Sequence, residues 1–238
     1  MDTIKNRISS YWSQRAETFS AQRFREFESE KHALWLNEFK KYFPENQTLD
    51  ILDVGTGSGF FALLLGGEHH RVVGIDLCEE MIAEARRCSE FLNIPAQFYA
   101  MDAENPDLRP ESFDAIVTRN LTWTLPHLPE AYRNWHTLLK PGGILVNFDA
   151  DYCREGKNQA LPENHAHKNL APSLMREYES IKDTLRAEQL PRPQWDIELL
   201  SQAGFHDIQV DCSVWKRIYH SFDEFYNPTP IFVITAQA

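Results

Sequence analysis

Apolar positions along the chain follow two rhythms. Short, dense runs recur through the middle of the sequence: Leu49, Ile51, Leu52 and Val54, then Val72, Val73 and Ile75, then Ile116 and Val117, then Ile144, Leu145 and Val146. Each suits a strand covered on both faces. Between them the apolar residues fall at helical spacing, as in 60–65 and in 79–91, where Met81, Ile82, Ala85 and Cys88 share one face, and again in 129–138. This alternation predicts an α/β fold on a mostly parallel sheet, with strands near 49–54, 71–76, 96–103, 113–118 and 143–151.

Both flanks of that region read differently. Residues 1–46 are expected to be helical, because Tyr11, Trp12, Arg15, Ala16 and Phe19 recur at spacings of three and four and the apolar content runs on through Trp35 and Phe39 to Pro44. After residue 190, a helix over 195–203 with Gly204 as its C-cap precedes two strands, 205–210 and 230–236. The segment 152–172 is polar and carries Pro162 and Pro172, and a helix over 175–190 follows it. The expected organisation is therefore a helical cap or lid over 1–46 and one domain over 47–238, with a substrate-loop insertion at about 152–190 that begins at Tyr152.

The candidate chemistry gathers where strands end. The first strand breaks into Gly55-Thr56-Gly57-Ser58-Gly59, a loop able to turn tightly and lie against a ligand. Asp53 stands just ahead of it, where a carboxylate repels a pyrophosphate and suits a cationic ligand. The second strand ends at Asp76, placed to accept hydrogen bonds from ribose hydroxyls. Arg119, Asn120, Leu121 and Trp123 follow the fourth strand at the sheet edge where ligands of open α/β folds collect. In the fifth strand Asn147, Asp149 and Asp151 alternate onto one face, which suggests substrate contact.

The ordered set Asp53-x-Gly55-x-Gly57-x-Gly59, Asp76, Asp102 and Lys140-Pro141-Gly142-Gly143 resembles class I S-adenosylmethionine-dependent methyltransferases. The resemblance spans roughly residues 49–146 and is similar to the small-molecule, ubiquinone/menaquinone-type group. It implies a Rossmann-like sheet of strand order 3-2-1-4-5-7-6 with an antiparallel last strand, helices on both faces, and S-adenosylmethionine as cofactor with S-adenosylhomocysteine as product. Carried over residue by residue, it implies a cofactor site of Asp53, Gly55, Thr56, Gly57, Gly59, Asp76, Leu77, Met81, Asp102, Ala103, Asn120 and Leu121. The acceptor and lid residues it suggests are Tyr11, Trp12, Phe19, Arg119, Trp123 and Tyr152. A general base is needed only for an acceptor proton of high pKa, and His127, Asp149 and His165 are the candidates.

Composition narrows the partners. A formal net charge of −11 disfavours nucleic acid and anionic membrane surfaces, leaving a small-molecule acceptor. No apolar run approaches membrane-span length, and the residues after Met1 show no signal-peptide core, so a soluble cytoplasmic monomer or homodimer is expected. Cys78, Cys88, Cys153 and Cys212 show no paired spacing, and His165 and His167 beside Glu163 do not complete a ligand set, so no metal is expected. An NAD-dependent oxidoreductase shares the glycine loop, but Asp53, the glycine spacing and the closing strands count against it. A non-catalytic cofactor-binding protein of the same fold is the other alternative.

Overall fold

The computed structural model describes residues 3–154, 160–165, 168 and 170–238. Two helices, α1 (Thr3–Phe27) and α2 (Lys31–Phe39), precede β1 (Asp50–Val54), α3 (Phe60–Gly67), β2 (Arg71–Asp76), α4 (Glu79–Leu92) and β3 (Gln97–Ala100). There follow β4 (Phe113–Arg119), α5 (Leu128–Leu138), β5 (Leu139–Asp149), α6 (Pro172–Arg186), α7 (Gln194–Ala203), β6 (His206–Asp211), α8 (Val214–Ile218) and β7 (Phe232–Gln237). The strands form a seven-stranded sheet in the order β3-β2-β1-β4-β5-β7-β6. β7 runs antiparallel to both neighbours, and the remaining pairs are parallel. This is the expected architecture, and it differs from the 3-2-1-4-5-6 order of dinucleotide-binding sheets.

The dense apolar runs occupy the sheet's interior because both faces are covered. Ile51, Ala115, Val117, Val146, Phe148 and Val233 point into one core with α2, α3 and α4, whereas Leu52, Val54, Ile116, Leu145 and Ile234 point into the other with α5 and α7. Aromatic edges lock the first core: Trp35 meets Phe61 and Phe148, each at 5.1 Å between ring centroids, and Phe39 meets Phe61 at 4.9 Å. The residues 31–39 therefore pack into the main core, and α1 lies across α4 and α6. Two local features depart from the sequence pattern. β5 starts at Leu139, and the Lys140-Pro141-Gly142-Gly143 turn forms an irregularity inside it; α8 occupies the connection before β7, where the pattern offers no helix.

Candidate functional site

The carboxyl ends of β1, β2 and β4 open into a cavity of about 730 Å³. Gly55, at φ +67°, begins the loop after β1; a Cβ there would stand 2.6 Å from Leu121 Cδ1, so the bare backbone lets the two loops meet. Gly57, at φ +54°, lies on the cavity wall opposite Phe19. Asp53 braces the loop from below. One of its oxygens accepts from Thr56 Oγ1 at 2.6 Å and from the Ala62 N–H at 3.0 Å. Burial pushes its carboxyl up to about 7, against those hydrogen bonds.

Asp76 ties the loop to the end of β2, accepting from the Gly57 N–H at 3.0 Å and the Cys78 N–H at 2.9 Å. Burial raises its pKa, with the Cys78 and Gly57 N–H groups opposing. Farther along, Asp102 accepts from the Glu104 N–H at 2.9 Å and pairs with Lys5 of α1 at 2.7 Å. Ser58 lines the same wall, and its buried hydroxyl has no hydrogen-bond partner among the described residues.

The opposite wall is α1. Trp12, Arg15, Phe19, Gln22 and Arg23 line the cavity from one helical face, and Glu26, on the same face, is fully buried behind it. Glu26 accepts from Arg119 at 2.8 Å and from Trp35 Nε1 at 3.2 Å. The Arg119 guanidinium lies 4.5 Å from the Trp35 ring centroid and donates to the Tyr219 hydroxyl at 3.0 Å. Burial works against Arg119's charge, but Glu26 and Tyr219 outweigh it and raise the pKa. Tyr152 closes the far end, donating to Asn120 Oδ1 at 2.9 Å and accepting from Asn227 Nδ2 at 2.6 Å.

A methyltransferase-domain family profile matches residues 52–147 of this chain. The demethylmenaquinone methyltransferase of Tropheryma whipplei is 32% identical over 184 residues, a match covering 71% of this chain and 69% of that protein. The chain belongs to the class I S-adenosylmethionine-dependent methyltransferases. Within this family, the ubiquinone/menaquinone biosynthesis C-methyltransferase of Rickettsia typhi is 31% identical over 133 residues, covering 52% of this chain and 53% of that protein. The chain thus spans about half the length of several relatives it matches. A solved S-adenosylmethionine-dependent methyltransferase from Mesorhizobium loti superimposes with a TM-score of 0.60 at 20% identity, covering 86% of this chain and 98% of that one, and speaks for the fold.

The structure brings most of the family-type residues to one place. Asp53, Gly55, Thr56, Gly57, Asp76, Leu77, Met81, Asp102, Ala103, Asn120 and Leu121 all line the cavity, as do Trp12, Phe19, Arg119, Trp123, Tyr152 and His165. Four expectations need correction. Gly59 stands off the cavity: a Cβ there would come within 3.2 Å of Ala85 and Phe98, so this glycine serves the packing of α3 on α4 and β3. Tyr11 turns away from the cavity and stacks on Tyr178 at 5.4 Å. His127 lies outside it, at the start of α5, with its N–H on Glu104 Oε1 at 2.6 Å.

Asp149 is the fourth. It faces inward beneath the cavity floor, fully buried, accepting from the Trp123 N–H at 3.0 Å and Arg192 Nη1 at 3.1 Å, with the Thr122 hydroxyl on the same oxygen. Burial raises its pKa against Arg192's charge. Sequence reasoning missed Lys5, Gln22, Arg23, Glu26, Tyr219 and Asn227; of these, Gln22, Arg23 and Glu26 could have been found by extending the Trp12–Phe19 face two turns. Cys78, Cys88 and Cys153 are buried free thiols and Cys212 is exposed. Among the described residues no group of three or more His, Cys, Asp and Glu side chains is arranged for a metal; His167 lies outside them. None of the described helices is long and apolar enough to cross a membrane.

Proposed function

We propose that this cavity binds S-adenosylmethionine and that the chain transfers its methyl group to a small-molecule acceptor, releasing S-adenosylhomocysteine. The observation that supports this best is the meeting, in one cavity, of the glycine loop, Asp76, Asp102 and the loop after β4. The cradle also fits the group: Ser58 offers a hydroxyl with no partner among the described residues, and the left-handed backbone of Gly57, at φ +54°, lets the loop turn beside the cavity. Bound there, the cofactor supplies an electrophilic methyl group on a cationic sulfur.

The chain's own residues divide the remaining work. Asp76, already fixed by two backbone N–H groups, has lone pairs left for the ribose hydroxyls. Asp102 would accept from the adenine amino group, with Leu77, Met81 and Ala103 supplying the apolar walls of that subsite. Asp53, Asn120 and Leu121 would border the methionine end. Along α1, Trp12 and Phe19 act as the lid that excludes water, and Lys5 pins the helix to Asp102. Holding acceptor and donor in line contributes roughly 7–11 kcal/mol of barrier reduction in such displacements, so positioning is the main catalytic effect.

Where the acceptor must lose a proton, His165 is the imidazole that the described residues bring to the cavity wall, and burial lowers its pKa, favouring the neutral form that accepts one. The acidic balance of the chain, with a formal net charge of −11, suits a cytoplasmic monomer or homodimer acting on small metabolites. Incubation with methyl-labelled S-adenosylmethionine and a bacterial metabolite extract is expected to place label in the small-molecule fraction, and Asp76→Ala to abolish it. Label found only in protein, or no label with cofactor demonstrably bound, would overturn the assignment.

A further inference from the structure

Two guanidinium groups share one carboxylate in the wall of the acceptor chamber. Glu26 is fully buried, Arg119 approaches it at 2.8 Å, and Arg23 Nη1 approaches the same carboxylate at 2.5 Å. Arg119 and Arg23 are only 10% and 13% exposed, so water does little to screen one from the other. Arg119 is well provided for by Glu26, the Tyr219 hydroxyl and the Trp35 face. Arg23 has less: beside its share of Glu26 its guanidinium carbon lies 5.2 Å from the Phe19 ring centroid, and its Nε, like that of Arg119, is buried with no hydrogen-bond partner among the described residues. Burial accordingly lowers its pKa, with Glu26 opposing.

Among the described residues no other cavity carboxylate makes up the difference, and Asp183 is taken up by Arg186. Glu224 is paired with Arg25 at 2.9 Å, Glu179 faces Lys182 at 3.5 Å, and Asp102 holds Lys5. Asp53 and Asp76 belong to the glycine-loop end. The cavity is therefore divided electrically, with carboxylates around the loop after β1 and β2 and two guanidinium groups on one carboxylate where Arg23 of α1 meets Arg119. Aromatic surfaces flank the positive end: Phe19, Trp123, Tyr152 and Tyr219 all line it.

We propose that Arg23 is the anchor for a carboxylate on the methyl acceptor, and that the acceptor is a small molecule with a flat apolar body bearing that carboxylate. Guanidinium matches a carboxylate's planar geometry, and in a desolvated wall an anion supplied by the ligand relieves the crowding of Arg23 against Arg119. This rests on the reading of the cavity as a methyl-transfer chamber, yet the two are tested separately. The full chain, saturated with S-adenosylhomocysteine, is titrated with benzoate, benzamide and inorganic phosphate by ligand-observed NMR. Benzoate is expected to bind at least tenfold more tightly than benzamide and to outcompete phosphate.

Arg23→Gln should erase the benzoate preference, Arg23→Lys should keep part of it, and S-adenosylhomocysteine affinity should stay within twofold in both. A purely structural arginine predicts a lower melting temperature for Arg23→Gln; an anchor awaiting its anion predicts an unchanged or higher one. Equal binding of benzoate and benzamide, binding of neither at millimolar concentration, stronger binding of phosphate, or a preference surviving in Arg23→Gln overturns the proposal. A benzoate preference that depends on Arg23 in a protein that fails to bind S-adenosylhomocysteine supports the anion site and removes the cofactor assignment instead.

Discussion

Replacing Arg192 by Met should be among the most destabilising single changes in this chain. Arg192 is 1% exposed and lies between two fully buried carboxylates, Asp149 at 3.1 Å and Asp196 at 2.5 Å, while also donating to Thr122 Oγ1 at 2.5 Å. Burial alone would lower its pKa, but Asp196 and Asp149 together raise it well above the ordinary arginine value. Removing one partner from a buried ionic cluster costs about 3–5 kcal/mol, because the remaining charge is left without compensation. Against a typical total of roughly 5–15 kcal/mol, that is a large fraction. At about 2–4 °C per kcal/mol for a chain of this size, the melting temperature should fall by roughly 6–20 °C.

The same variant carries a pH signature. Burial already raises Asp149, and loss of Arg192 raises it further. A carboxyl whose folded pKa lies above its unfolded one contributes stability that is present at low pH and lost as pH rises through the folded value. The deficit of Arg192→Met relative to the parent should therefore be larger at pH 8 than at pH 5. Urea unfolding at both pH values measures this. A loss below about 1 kcal/mol, or one independent of pH, would refute the view that Arg192 compensates these carboxylates. Arg192→Lys should recover only part of the loss, since one ammonium cannot span Asp149, Asp196 and Thr122 together.

Two further substitutions probe the cradle. Asp53→Asn keeps an acceptor oxygen for Thr56 and Ala62 while removing a charge whose pKa burial has pushed from 3.8 to about 7. The parent should lose about 2–4 kcal/mol between pH 4 and 8 that the variant does not, read by urea unfolding across that range; parallel curves would contradict the buried-carboxylate account. Gly55→Ala places a Cβ 2.6 Å from Leu121 Cδ1 in a left-handed backbone, so it should cost about 1–2 kcal/mol and weaken S-adenosylhomocysteine binding by displacing Leu121, an effect that calorimetry would miss if the loop contact were unimportant.

The fold was legible because its signals are local. The apolar runs of β1, β2 and β4 need cover on both faces, and Gly204 and the two closing strands mark the hairpin that distinguishes this sheet. Asp76 was legible for the same reason, since a strand ending in a carboxylate fixes its place at the sheet edge. Asp149 misled because alternation in β5 reports which face a residue takes and nothing of what covers that face; its partner Arg192 comes 43 residues later in a segment without periodicity.

Tyr11 and Trp12 show a similar limit. Both belong to the aromatic side of α1, but only packing against Tyr178 of α6 decides which turns from the cavity. The three glycines of the loop look alike in sequence, and Gly59 differs from Gly57 solely by the neighbours its missing side chain would meet. Arg119 was placed at the sheet edge by its position after β4, but its pairing with Glu26 was hidden because the two lie 93 residues apart.

The most direct measurement is calorimetric titration of the protein and of Asp76→Ala with S-adenosylhomocysteine, with NADH titrated in parallel. Two hydrogen bonds to a charged acceptor are worth about 1.5–3 kcal/mol each, so S-adenosylhomocysteine should bind the parent and lose at least tenfold in affinity in the variant, while NADH binds neither. Equal S-adenosylhomocysteine affinity in parent and variant, or saturable NADH binding that Asp76→Ala removes, would contradict the assignment of this cavity.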